Sequence, residues 1–386
     1  MNVVFLSPHF PPAWYRFCVA LREMGATVLG LADAPWESLR PELRAALAEY
    51  YRVSDLEDYG QLLRALGYFT HRHGKIDRLD SLNEHWLEKE AALRDDFNIP
   101  GLRAADMVRI RRKSEMKRVF LEAGLAVARG RVCRTRDEAR ALAAEVGFPL
   151  VAKPDAGVGA AGTWRIEDPA GLERWAAGKP PVDYILEEYV AGPIVTYDGL
   201  ADREGRVVFD STMQYSLGVM EAVNQRGDVW YWMPRAIPED LRAAGLALVC
   251  AFGVRERPFH FEFFRLADGR LVALEVNMRV PGGLTVDMFD WANDIDFYRE
   301  WARVVVHGRF EAAVGRPFAC AYVGRRDGRP YALPHDEVLR RFAGLLVHWE
   351  RIDGVFAPAL GDVGYVLRHP DLALIEAAAA AIHARG

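Results

Sequence analysis

Residues 258–283 read PFHFEFFRLADGRLVALEVNMRVPGG, and no other stretch constrains the fold as tightly. Two runs rich in aromatic and β-branched residues flank Asp268-Gly269, a pair suited to the left-handed backbone of a tight hairpin turn. With those two residues as the loop, Ala267 pairs with Arg270, Phe264 with Ala273 and Glu262 with Glu275. Like charges directly opposite each other, with Cβ atoms about 5 Å apart, are destabilising unless something compensates them. A divalent cation is the natural compensator. Asn277 shares the face by the strand period and adds a neutral oxygen, so Glu262, Glu275 and Asn277 make a hard-oxygen set suited to Mg²⁺ (or Mn²⁺) alongside phosphate oxygens and water. The neighbours Phe261, Phe263, Phe264, Val272, Leu274 and Val276 make both strands read as buried, and buried glutamates need partners.

A chain of 386 residues with 51% hydrophobic side chains exceeds what one core supports, since single cores stop growing at roughly 250 to 300 residues. More than one domain is expected. The net charge of -5 argues against a nucleic-acid partner, and no apolar span long enough for a membrane helix appears. Cys18, Cys133, Cys250 and Cys320 show neither metal-ligand spacing nor a disulfide framework, so a cytoplasmic protein is expected.

Residues 1–105 read as an open α/β domain: strand 2–6, helix 14–24, strand 27–31, a later strand within 76–82 and a helix from about 85 to 94. Ligands in such sheets bind beyond the carboxyl ends of the strands, which points weakly at Ser7, His9, Asn83 and Glu84. No GxGxxG follows the first strand, so a dinucleotide is not expected there.

Only six of the 49 basic residues are lysines, so a lysine inside a motif is informative. Lys113 opens a basic helix that also carries Lys117 and ends at Gly124. A strand at 127–132 and a helix at 136–146 precede the apolar strand FPLVAKP, which carries Lys153 near its end. Gly157, Gly159 and Gly162 follow directly, spaced so that backbone N–H groups can approach phosphate oxygens. The segment Glu187-Glu188-Tyr189-Val190 comes about thirty residues later.

In this order of parts, residues 106–307 resemble the ATP-grasp family: a basic helix, a strand lysine with a glycine-rich flap, an EEYV hinge and two acidic strands ending in ExNxR. The resemblance implies a Rossmann-like pre-ATP-grasp domain at 1–105 and a two-lobed ATP-grasp domain at 106–309. Its flap and hinge lobe would cover about 125–190 and its metal-binding lobe about 191–309, with a small α+β accessory region at 310–386. It implies ATP as the nucleotide, with Lys113 and Lys153 on its phosphates, the glycine flap over them, and the Glu187–Val190 hinge, through the backbone of Glu188 and Val190, on adenine. It further implies Glu262, Glu275 and Asn277 as metal ligands and Arg279 on the transferred phosphoryl group or the substrate carboxylate. The family's ribose-binding glutamate is replaced here by Ile194 in Gly192-Pro193-Ile194, leaving Asp198 or Asp210 as candidates.

Gly282 and Gly283 read as opening a helix whose N-terminus faces an anion beside Arg279, while Arg235 is a candidate phosphate contact, with a surface arginine as the alternative. The aromatic residues Tyr215, Trp230, Tyr231 and Trp232, with Met220 among them, read as core or dimer interface before substrate wall. A homodimer is thereby left open. The expected function is ADP-forming ligation of a small carboxylate to an amine through an acyl phosphate. Carbamoyl-phosphate-synthase-like or other carboxylate phosphorylation is the alternative enzyme reading, and an inactive ATP-binding regulator is the reading from another class.

Overall fold

The computed structural model describes residues 1–157, 162–216 and 227–386. Gly159 and Met220 lie outside them.

The N-terminal sheet is parallel throughout, in the order Glu49–Arg52, Thr27–Ala32, Asn2–Leu6, Arg78–Asp80. Val3, Val4, Phe5 and Leu6 are fully buried, as a continuous apolar run should be when helices cover both faces of a parallel sheet. The strand order changes direction between Asn2–Leu6 and Arg78–Asp80, and that switch point opens a crevice. The later strand is only three residues long, and the helix after it begins as the single turn Glu84–Trp86 before Leu87–Asp96.

A second, antiparallel sheet contains Gly130–Val132, Tyr184–Glu188, Leu150–Pro154 and Trp164–Ile166 in that order. The strand expected at 127–132 is divided. Ala126–Val127 pairs with the hairpin strand Leu271–Asn277, and the chain then crosses to the second sheet at Gly130. Glycine is required at the crossing, because a Cβ there would stand 2.2 Å from the Leu186 carbonyl oxygen.

Among the described residues the largest sheet has ten strands, and it holds the hairpin Arg257–Arg265/Leu271–Asn277 beside Ile194–Ala201. The C-terminal strands Ala319–Arg325, Leu346–Arg351 and Val363–His369 extend this same sheet, because Ala319–Arg325 pairs with Val229–Met233. Residues 310–386 therefore continue the central sheet. The helical stretch around Trp291 is two helices, Thr285–Asn293 and Phe297–His307, interrupted where Asp294 turns left-handed at φ 52° and Asp296 caps the second.

The hairpin loop is one residue longer than the two-residue Asp268-Gly269 turn expected. The Leu266 N–H donates to the Arg270 carbonyl at 2.9 Å, and only Gly269 in the loop has positive φ. Phe264 consequently faces Val272, not Ala273. A bulge at Leu274 then restores the offset, so Glu262 still faces Glu275.

Four buried charges fasten the N-terminal sheet to the hairpin. Arg94 and Arg257 both contact Asp80 Oδ1 at 3.0 Å, and both reach Glu90 Oε2, at 2.8 and 3.3 Å. Paired in this way the charges are tolerated, whereas any one alone would carry a heavy desolvation cost.

Candidate functional site

Alternation along FHFEF builds the centre of the site. Phe259, Phe261 and Phe263 point into one core, so His260 and Glu262 must point to the other face. Three adjacent strands place Thr196 beside Glu262 and Glu275 in one row, and Asp198 beside His260 and Asn277 in the next. His260 Nδ1 lies 2.5 Å from Asp198 Oδ1 and its Nε2 lies 3.0 Å from Glu262 Oε1. Burial would lower the His260 pKa, but Asp198 and Glu262 outweigh it and push the value up to about 9. Burial likewise opposes ionisation of Glu262, yet His260, Arg279 and Lys153 hold it below the usual carboxylate range. His260 is the site residue the sequence reading passed over, although the alternation already placed it on the glutamate face.

The lysines approach from the second sheet and its flanking helix. Asp155, directly after the Lys153 strand, accepts the Lys113 N–H through its carbonyl at 2.7 Å and the Ser114 N–H through its side chain at 2.8 Å. This fixes the start of helix Lys113–Glu122 against the end of the lysine strand. Lys113 Nζ is 3.3 Å from Glu275 Oε1, and Lys153 Nζ is 2.7 Å from Glu187 Oε2. Lys117, one helical turn beyond Lys113, pairs with the other oxygen of Glu187. Burial alone would raise the Glu187 pKa, but the two ammonium groups hold it down at about 2. Lys153 and Lys117 share one carboxylate yet shift oppositely. Burial opposes charge on both, but Lys153 also feels Glu275 and Glu262 and is raised, while burial and the neighbouring Lys153 leave Lys117 lowered.

The expected nucleotide contacts divide. Gly157 and Gly162 border the Lys153 strand, and Gly162 takes φ +70° against Pro154 and Tyr184. Both oxygens of Glu187 are engaged by lysines. Glu188 donates its N–H to the Arg129 carbonyl, and its two side-chain oxygens accept from the Arg129 backbone N–H and Nε, so its N–H is committed within the protein. Tyr189 donates its N–H to Pro149 and packs its ring under Arg165, and Val190 is half-buried beside it. Asp198 is fully buried against His260 and Thr196, and Asp210 is held by Arg316 and Tyr197; neither stands open for a ribose.

A cavity of about 500 Å³ occupies the switch point and joins Ser7, His9 and Glu84 to Arg279, Gly282 and Gly283. Ser7 and Leu82, at the ends of the two strands that flank it, both take left-handed φ of 53° and 54°. Such conformations cost roughly 1 kcal/mol or more each, and they cluster where a site needs a particular backbone. Arg279 Nη1 donates to the Val280 carbonyl at 2.8 Å, and its Nε is 3.8 Å from Glu84 Oε2. Gly283 has φ +64°, and the helix beyond it begins at Thr285, so the two glycines precede the helix and do not form its first turn. Arg235 is not in this group: it is exposed, and its Nε donates to the Arg316 carbonyl at 3.0 Å. Tyr231 packs in the core on Tyr215 and Tyr322, and Trp230 stacks on Trp232 at 4.3 Å.

Among the described residues no three His, Cys, Asp or Glu side chains form a metal-ligating cluster. Two carboxylates and a carboxamide on one face nevertheless fit Mg²⁺, which dehydrates reluctantly and commonly takes one or two protein carboxylates with phosphate oxygens and water. No helix among the described residues is long and apolar enough to cross a membrane.

Residues 146–287 match the family described as ATP-grasp domain. The L-amino acid ligase from Bacillus licheniformis superposes with a TM-score of 0.74 at 19% identity, covering 97% of this chain and 95% of that one. The N5-carboxyaminoimidazole ribonucleotide synthetase from Thermus thermophilus gives 0.72 at 17% identity, covering 100% and 98%. In sequence, the carbamoyl phosphate synthase large chain of Mycobacterium sp. (strain JLS) is 26% identical over 288 residues, which are 68% of this chain and 25% of that one. An uncharacterised protein of Sinorhizobium fredii is 24% identical over 277 residues, 68% of this chain and 52% of the other. The matches thus span about half the length of one relative and a quarter of the other. The superpositions give the fold, and residues 146–287 give this chain an ATP-grasp domain.

Proposed function

We propose that this chain is an ATP-dependent ligase that joins a small carboxylic acid to an amine through an acyl phosphate. The observation that carries the reading is the junction of two groups: the Glu262, Glu275 and Asn277 face with Lys113 and Lys153 beside it, and the switch-point cavity entered by Arg279. In this reading residues 1–105 form one wall of the acid site, 106–309 the nucleotide-binding unit, and 310–386 extend the central sheet and supply Phe356 to the cavity.

Lys113 and Lys153 take the phosphate oxygens of ATP, each as a compact charge on a flexible stem. Glu262, Glu275 and Asn277 would hold Mg²⁺, which when bound offsets charge on the phosphates. Arg279 orients the acid so that a carboxylate oxygen faces the γ-phosphorus. That oxygen forms a bond to phosphorus as the bond to the bridging oxygen breaks, and ADP leaves. The amine nitrogen then attacks the acyl carbon, loses a proton, and phosphate departs with the former carboxylate oxygen. Positioning and fixed charge are the protein's contributions.

The test is the identity of the nucleotide product. With Mg-ATP and a panel of small acids, ADP should accumulate only when the right acid is present. AMP as the product would contradict the acyl-phosphate route, since adenylation attacks the α-phosphate. ADP formation indifferent to every acid would favour an ATPase or a regulator.

A further inference from the structure

The switch-point cavity carries more information than the ligase reading uses. Glu84 is 9% exposed, and Arg111 fixes its Oε1 at 2.7 Å, yet its Oε2 has no hydrogen-bond partner among the described residues. A buried carboxylate oxygen left open is costly, and it asks for an N–H donor from a ligand. Beside it, 3.8 Å away, stands the Arg279 guanidinium, close enough to mark opposite charges side by side and too far for a closed hydrogen bond. The remaining charged groups weigh against a phosphorylated ligand. Asp33 and Glu84 oppose Arg279, and burial holds His9 below its ordinary pKa despite Asp33, so it adds little positive charge near neutral pH. The far wall is apolar: Phe10 stacks on Phe356 with centroids 5.4 Å apart and rings 10° from parallel, next to buried Trp14.

We propose that this cavity selects an unphosphorylated α-amino acid with an apolar side chain, its carboxylate on Arg279, its ammonium on Glu84 Oε2 and its side chain against Phe10 and Phe356. An α-amino acid carries its two opposite charges on neighbouring atoms of one carbon, which matches the adjacency of Glu84 and Arg279. The assignment rests on the ligase reading only for what happens to the carboxylate next. Glu84 and Phe356 are specificity-determining residues in it.

The experiment compares L-phenylalanine, 3-phenylpropionate, glycine and O-phospho-L-serine as acids. ADP and hydroxamate are followed with Mg-ATP and hydroxylamine, and binding is measured separately by calorimetry with a non-hydrolysable ATP analogue and magnesium. L-Phenylalanine should exceed 3-phenylpropionate by about a hundredfold or more in kcat/KM, because a site built to bond an N–H group rejects the analogue lacking it. O-Phospho-L-serine should be undetectable. Glu84→Gln should shrink the ratio of phenylalanine to phenylpropionate, and Phe356→Ala the ratio of phenylalanine to glycine, each without shrinking the other. A merely structural role would lower all acids together. If phenylpropionate or phosphoserine is bound or used as well as phenylalanine, or phenylalanine does not bind at all, the proposal is overturned. If phenylalanine binds in a Glu84-dependent way yet no ADP or hydroxamate forms, the ligase reading fails and the cavity assignment stands. Phe356→Ala, on a half-buried wall, keeps the test usable should Glu84→Gln fail to fold.

Discussion

Glu275→Gln is expected to leave the fold standing and to lower turnover by on the order of a hundred- to a thousandfold, the loss typical when one preorganised electrostatic contact to a reacting group is removed. The substitution preserves shape, and Glu275 sits in a row where its strand pairing with Glu262 depends on the backbone. What it deletes is one of the two carboxylates of the proposed metal-binding face and the counter-charge 3.3 Å from Lys113. Glu262→Gln should behave alike in turnover, with an added cost because His260 Nε2 loses its charged partner at 3.0 Å. Steady-state rates in saturating magnesium, read beside circular dichroism, check both. A Glu275→Gln enzyme working at the wild-type rate would remove the hairpin from the chemistry.

Glu187→Gln is the substitution expected to cost most in stability. Glu187 is 6% exposed and neutralises Lys117 and Lys153 together, so the variant would bury two ammonium groups facing each other without a carboxylate between them. Breaking a buried ion pair on one side costs about 3 to 5 kcal/mol. The pH dependence gives a second measure. With burial opposing and two lysines favouring its charge, Glu187 moves from an ordinary 4.5 down to about 2 on folding. A depressed carboxyl contributes stability that is fully present above its unfolded value and is lost as pH falls through the folded one. That shift corresponds to on the order of 3 kcal/mol, lost between about pH 4.5 and 2. Urea denaturation across that window should show wild type losing stability more steeply than Glu187→Gln. Equal midpoints at neutral pH and parallel acid limbs would mean that the lysines find other partners.

The central constellation was legible because its residues are close in sequence and the strand period fixes their faces. Glu262 and Glu275 do face each other, although by a route the sequence does not announce: a longer loop shifts the register by one, and the Leu274 bulge shifts it back. Lys113 and Lys153 were legible as rare lysines in an arginine-rich chain, and helical spacing could have added Lys117 to them. Other features depend on contacts distant along the chain. Nothing local says that Arg257 closes a buried charge cluster with Asp80, Glu90 and Arg94, or that Phe356 stacks on Phe10. The same limit explains Arg235, whose sequence neighbours suggested a phosphate but whose fold places it on the Arg316 carbonyl. It also explains the C-terminal region, whose strands gave no sign that they extend the central sheet.

The central claim is that a carboxylate becomes an acyl phosphate beside Arg279, and hydroxylamine tests it most directly, because it intercepts an activated acyl group as a coloured hydroxamate. With Mg-ATP, hydroxylamine and an acid the enzyme accepts, hydroxamate and ADP should form in equal amounts. Arg279→Ala should lose on the order of a hundredfold of both, since a misplacement of reacting atoms by about 1 Å can cost that much. ADP released without hydroxamate, in the presence of an acid that binds, would contradict the account.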